Sequence, residues 1–126
     1  MSNKIITASK APAALGPYSH AVLAGDTLYI SGQLGLSPDN GELVGDVIAQ
    51  TKQALDNMGE ILKAADMNYS DVVKTTIFLS DINDFAAVNE VYGQYFIKDC
   101  PARCCYQVAA LPKAASVEIE AIALKG

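Results

Sequence analysis

The sequence predicts a single α+β domain whose elements run β-β-β-α-β-α-β-β. Three observations carry this reading. Residues 46–65 repeat apolar side chains at three- and four-residue steps, the spacing of an amphipathic helix. Residues 116–124 instead alternate with a period of two, the spacing of a strand with two distinct faces. The two helical stretches are too few to cover both faces of a sheet of about six strands, so the second face is expected to be hidden by subunit association.

Taken in order, Lys4 to Thr7 reads as a short first strand, and Ala8 to Tyr18 as a loop whose course is fixed by Pro12, Gly16 and Pro17. His20 to Ala24 and Thr27 to Gly32 are β-prone runs, and Gly25-Asp26 between them fits a two-residue hairpin turn. Ser37 to Gly45 is rich in turn residues. The first helix, Asp46 to Ala65, is expected to bury Val47, Thr51, Ala54, Leu55, Met58, Ile61, Leu62 and Ala65. Asp46 suits its positive N-terminal end, and Gln50, Lys52, Gln53, Asp56, Asn57, Glu60 and Lys63 are expected to form a solvated face. Val72 to Leu79 is a strand rich in β-branched residues. Ser80, Asp81, Asn83 and Asp84 offer capping groups for a second helix, Phe85 to Phe96, with Phe85, Val88, Tyr92, Tyr95 and Phe96 as its buried stripe.

Two further strands, Ala102 to Val108 and Ser116 to Leu124, are joined by a Leu-Pro loop. On the last strand Val117, Ile119, Ala121 and Ala123 share one face, and Glu118, Glu120, Ile122 and Leu124 share the other. A solvated face would not carry Ile and Leu in this way, and a core face would not carry two Glu. A face covered by another subunit, with a polar pocket at its edge, explains both.

Composition narrows the function classes. The 126 residues are read as one domain, residues 1–126, able to build a core without disulfides. With 51% hydrophobic and 18% charged residues, the chain carries surplus apolar surface, which favours oligomers. The net charge is −5 and the nine Lys and Arg are scattered singly, so no nucleic-acid footprint is expected. No apolar run is long enough to span a bilayer, and residues 1–7 lack the apolar core of a signal peptide, so no membrane partner is expected. Cys100, Cys104 and Cys105 form an odd cluster suited to reduced thiols, and a cytoplasmic location is expected.

Candidate chemistry gathers on few residues. Arg103 has the planar fork that binds a carboxylate through two parallel hydrogen bonds. It also suits an ion pair with Glu118 or Glu120, and the sequence alone leans to that pairing. Glu118 and Glu120 share a strand face and invite a general acid/base role, one of them with a raised pKa activating water. In Gly16-Pro-Tyr-Ser-His-Ala, the single His20 is read as structural, since no triad partner stands at sensible spacing. Ser31 is either a hydrogen-bond donor or a packing residue, and Asn89 either a site residue or a solvated one. Gly32 and Gly35 lack the Lys-Ser/Thr pair of a phosphate loop. The three Cys and one His lack zinc-site spacing, and no base accompanies the thiols, so neither a metal nor a cysteine nucleophile is expected. From residues alone the reading stops at a small cytosolic α+β oligomer with an Arg suited either to a carboxylate ligand or to an ion pair.

Several motifs in register then carry a resemblance. Gly-Pro-Tyr-Ser-His-Ala-Val at 16–22, Tyr-Ile-Ser-Gly-Gln-Leu-Gly at 29–35, Gln-Ala-Leu-x-Asn at 53–57, Asn-x-Val-Tyr-x-x-Tyr-Phe at 89–96 and Pro-Ala-Arg-x4-Val-x2-Leu-Pro-x4-Val-Glu-Ile-Glu-Ala-Ile-Ala at 101–123 resemble the Rid (YjgF-like) family, in its RidA branch. The resemblance implies a chorismate-mutase-like six-stranded mixed sheet with two helices on one face, assembling as a homotrimer with a site in each intersubunit cleft. It implies deamination of enamine and imine acids such as 2-aminoacrylate to 2-oxo acids and ammonia, with no cofactor. By the same resemblance Arg103 binds the substrate carboxylate and Glu118 stands near the attacking water. Tyr18, Ser31, Gly32, Asn89 and Cys105 match further pocket positions, Cys105 through its backbone carbonyl. A regulatory module that binds 2-oxo acids without turnover is the alternative, and an endoribonuclease or translation inhibitor, proposed for relatives, is opposed by the acidic balance.

Overall fold

Antiparallel pairing begins at the N-terminus of the computed structural model, which describes residues 3–126. Strands β1 (Lys4–Ile6), β2 (Ala21–Ala24) and β3 (Thr27–Leu34) form a meander in which Lys4 faces Leu23 and Ala21 faces Ile30. Gly25 has a φ of +62°, the positive value that a tight hairpin turn requires at its first central position. Helix α1 (Val47–Ala64), β4 (Val72–Leu79), helix α2 (Phe85–Tyr92), β5 (Ala102–Gln107) and β6 (Val117–Leu124) complete the predicted order. They make one mixed six-stranded sheet, ordered β1-β2-β3-β6-β4-β5. β6 runs antiparallel to β3 and β4, whereas β5 lies parallel to β4 at the edge, a pairing that α2 makes possible as the crossover element.

The helices pack on one face. Ala54, Leu55, Met58, Ile61 and Leu62 of α1 and Val88, Val91 and Tyr92 of α2 join Leu28, Ile77, Leu79, Val117, Ile119 and Ala123 of the sheet in one buried cluster. The predicted alternation of β6 holds: Val117, Ile119, Ala121 and Ala123 are buried, while Glu118 and Ile122 are half-buried and Glu120 and Leu124 exposed. With Tyr29 and Tyr106 also exposed, the second face is broadly apolar and uncovered in the single chain.

Four details differ from the sequence reading. β3 continues past Gly32 to Leu34, because a register shift between Ile30 and Gln33 absorbs Ser31-Gly32 and pairing with β6 then resumes. α2 ends at Tyr92, short of Phe96: the Gly93 amide is shared between the carbonyls of Asn89 and Val91, and Gln94 and Tyr95 bond three residues back, so the chain leaves as tight turns. Phe96 is still buried, but Val91 takes a place in the stripe and Phe85 is 41% exposed. Gln50 and Asn57, expected in water, are buried. Asn57 Nδ2 donates to the carbonyls of Leu34 and Leu36, and Gln50 Oε1 accepts the Ser116 amide, so both tie α1 to backbone groups beside the sheet.

Candidate functional site

The sheet register divides the candidate residues into two groups. Arg103 faces Thr75 and Cys105 faces Ile77, both on the helix-covered side, where Thr75 and Ile77 are fully buried. Glu118 faces Phe78 and Glu120 faces Thr76, on the open side. Arg103 and Glu118 therefore stand on opposite faces of one sheet, and the ion pair that the sequence favoured for Arg103 does not form within the chain. Alternation along β5 does not by itself fix which face Arg103 takes; its pairing with β4 does.

The first group centres on Glu118. Its carboxyl is half-buried, and that burial, with the negative Glu120 beside it as a lesser cause, pushes its pKa above the ordinary carboxylate value. Gly32 closes beneath it: a Cβ at that position would lie 2.7 Å from Glu118 Oε2. The Ser31 hydroxyl donates to the Ser19 carbonyl at 2.6 Å, and the Ser31 amide donates to the His20 carbonyl at 3.0 Å. Ser31 thus fastens the loop that presents Tyr18. The exposed Tyr18 has its hydroxyl accepting the Leu15 amide at 3.0 Å, and Tyr18 and Gly32 line one narrow cleft with Leu15 and Leu34. His20 is structural, as expected: Nδ1 accepts the Ala8 amide at 3.1 Å and Nε2 donates to the Pro12 carbonyl at 2.8 Å.

The second group centres on Arg103. Its guanidinium carbon lies 4.9 Å from the Tyr92 ring centroid and 5.4 Å from that of Phe85. The Tyr92 hydroxyl is fixed to Thr75 Oγ1 at 2.7 Å in the buried layer. Desolvation raises the Tyr92 pKa, against the smaller lowering effects of the Thr75 bond and the Arg103 charge. Asn89, four residues after Phe85 and three before Tyr92, shares that face of α2 and is half-buried. Burial pushes the Cys105 thiol up despite the nearby Arg103 charge, which keeps it protonated and unreactive near neutrality. Thr75, Phe85 and Tyr92 were missed as site neighbours. The 85-89-92 spacing on one helix face is the signal that groups Phe85 and Tyr92 with Asn89.

A cleft of about 450 Å³ lies elsewhere along α1 and is lined by Lys10, Gln53, Asp56, Glu60, Lys63 and Tyr69 among others. It includes none of the candidate residues. Among the described residues no three or more His, Cys, Asp or Glu side chains are grouped to hold a metal ion, and no helix is long and apolar enough to cross a membrane.

A family model described as endoribonuclease L-PSP matches residues 8–125. A 2-iminobutanoate/2-iminopropanoate deaminase of the goat Capra hircus is 62% identical over 98% of this chain and 90% of its own length. The crystal structure of RidA from the Antarctic bacterium Psychrobacter sp. superposes with a TM-score of 0.94 at 47% identity, covering 96% of this chain and 98% of that one. E. coli TdcF, solved with bound serine, superposes with a TM-score of 0.94 at 44% identity, covering 98% and 99%.

Proposed function

The chain belongs to the endoribonuclease L-PSP family, and from that premise we propose that it is an enamine/imine deaminase, hydrolysing 2-aminoacrylate and related imine acids to 2-oxo acids and ammonia. The observation that carries the reading is the division of the site: a guanidinium fork on one face of the sheet and a half-buried carboxylate on the other. Neither half performs the hydrolysis alone. A second copy bringing its open face against the first, in a homotrimer, would set Glu118 of one subunit toward Arg103 of another. The uncovered apolar face supports that assembly. The chain is taken as one such domain, working in the cytoplasm.

In this reading Arg103 holds the substrate carboxylate by its two parallel N–H donors, with Asn89 and the Cys105 carbonyl beside it. Protonation of the enamine carbon by solvent gives the iminium, which is electrophilic at carbon. Glu118, as carboxylate, accepts a proton from the attacking water, and the C–O bond forms as the C=N π pair moves to nitrogen. Return of that proton to the carbinolamine nitrogen makes it a leaving group; the C–N bond then breaks with its electron pair to release ammonia, while the carbinol O–H gives its proton back to Glu118 and its electron pair forms the C=O of the 2-oxo acid. Tyr18 and the Gly32 backbone close the cleft around the acid. No step calls for a metal or organic cofactor.

A nuclease activity is disfavoured by the net charge of −5 and by nine cations scattered without a patch. A purely ligand-binding role would use Arg103 but leave Glu118 idle. The deciding experiment times keto-acid release from a pyridoxal-phosphate-dependent dehydratase with and without this protein. Acceleration by the wild type and its loss in Arg103→Ala is the expected result. No acceleration by a folded wild-type assembly would leave only ligand binding.

A further inference from the structure

We propose that Tyr92 and Phe85 are positioning residues for Arg103, an aromatic bracket that turns the guanidinium edge toward the substrate carboxylate, with Thr75 holding the bracket in place. The proposal rests on the deaminase reading for what Arg103 binds, but its geometry stands on its own.

An arginine on an edge strand has a long stem and many rotamers, so a carboxylate that binds it must immobilise it first. Here two rings lie within reach of one guanidinium carbon, at 4.9 and 5.4 Å. Contact with an aromatic face occupies the flat side of the guanidinium and leaves its in-plane N–H donors free, which are the donors a carboxylate uses. The nearer ring is itself fixed. Tyr92 is buried, and its hydroxyl shares a 2.7 Å hydrogen bond with Thr75, which is fully buried and sits directly opposite Arg103 in the β4–β5 register. A strand residue thus orients a helix ring, and the ring orients the strand's neighbour. Phe85 lies seven residues before Tyr92, two helical turns away on the same face, and is 41% exposed. That exposed position sets its ring beside the guanidinium. The positive charge would also be held against being drawn to stray anions in other orientations, which favours ligands that match the in-plane fork.

The decisive experiment is a double-mutant cycle on the assembled protein. Steady-state kinetics in the dehydratase-coupled assay are compared for wild type, Tyr92→Leu, Arg103→Ala and the double variant. Tyr92→Leu should raise KM more than it lowers kcat and reduce kcat/KM about threefold to thirtyfold, with no further loss once Arg103 is already alanine. Effects that simply add would mean that Tyr92 acts through packing, and would overturn the proposal. Phe85→Leu, at a more exposed position less able to unfold the chain, should behave in the same way with a smaller loss, and Tyr92→Phe should fall less than Tyr92→Leu. The NMR signal of the Arg103 Nε–H gives a readout independent of turnover. It should be shifted upfield by the rings and move when Tyr92 becomes leucine. A signal unmoved by that change overturns the bracket, whereas a moved signal in a protein without deaminase turnover keeps the bracket and rejects only the proposed function.

Discussion

Gly32 lies so close beneath Glu118 that a Cβ added to it would stand 2.7 Å from the carboxylate Oε2 and 2.8 Å from its Cδ. Its backbone φ lies outside the left-handed region, so the glycine is required for space and not for conformation. Gly32→Ala is therefore expected to fold and to keep a melting temperature near that of the wild type while pushing the Glu118 carboxylate aside. A displacement of about 1 Å from a reacting position costs on the order of a hundredfold. A fall of about tenfold to a hundredfold in kcat/KM is expected, and wild-type kinetics in Gly32→Ala would remove Glu118 from the proposed chemistry.

The environment of Glu118 also sets a pH signature. Burial first, and Glu120 second, raise its folded-state pKa above the unfolded value of 4.5. A raised carboxyl pKa stabilises the fold below the unfolded pKa, and that contribution is lost as pH rises through the folded pKa. Glu118→Gln carries no such penalty. Its melting temperature should match the wild type near pH 4 and exceed it increasingly toward neutrality. In the wild type, kcat/KM should show an acid limb whose apparent pKa lies above that of an ordinary Glu, while Glu118→Gln stays low at every pH. A melting-temperature difference independent of pH would show that the carboxylate is not strained by its surroundings.

The order of elements, the hairpin at Gly25-Asp26 and the two-faced strand β6 were legible in the sequence, because each follows from local periodicity or turn chemistry. The partition of Arg103 and Glu118 between faces was not legible. It depends on β5 pairing parallel with β4 so that Arg103 meets Thr75, and on β6 entering between β3 and β4. Periodicity gives alternation within a strand but no common origin between strands. The same limit misplaced Gln50 and Asn57: their polar character suggested water, yet the backbone groups of Ser116, Leu34 and Leu36 are their partners. The neighbourhood of Arg103 was hidden for a related reason, since the Tyr92 ring packs in the core and also lies 4.9 Å from the guanidinium carbon.

The opposite-face arrangement makes a prediction about mixtures. A site that joins Arg103 to Glu118 draws them from different chains if the proposed homotrimer is correct. Arg103→Ala and Glu118→Gln assemblies should each be nearly inactive alone. Unfolded together and refolded, they should form mixed trimers in which some interfaces join an intact Arg103 to an intact Glu118, and activity should return to a substantial fraction of the wild type. Light scattering on the same samples checks the assembly. Mixed trimers without recovered activity would show that no site joins Arg103 of one chain to Glu118 of another, and a stable monomer at micromolar concentration would rule out the shared site altogether.

Arg103 itself separates a catalytic assignment from a structural one. Its guanidinium carbon lies 4.9 Å from the Tyr92 ring centroid and 5.4 Å from that of Phe85. Charge-assisted hydrogen bonds of the kind proposed contribute about 1.5–3 kcal/mol, which corresponds to roughly tenfold to 150-fold in kcat/KM. Arg103→Ala is expected to lose at least that much, and more if the imine carbon also loses its alignment with water. Arg103→Lys should recover only part of it, since an ammonium keeps the charge but cannot offer two parallel donors, and it stacks less well on the aromatic faces. A structural role forecasts a different pattern. If the guanidinium serves chiefly to cover Tyr92 and Phe85, then alanine lowers the melting temperature and the turnover of each folded site is unchanged. Kinetics and thermal unfolding measured on the same preparation decide between them: a lowered melting temperature with wild-type kcat/KM would sink the carboxylate-binding role, whereas a large kinetic loss with little change in melting temperature is the outcome expected of a substrate-binding residue.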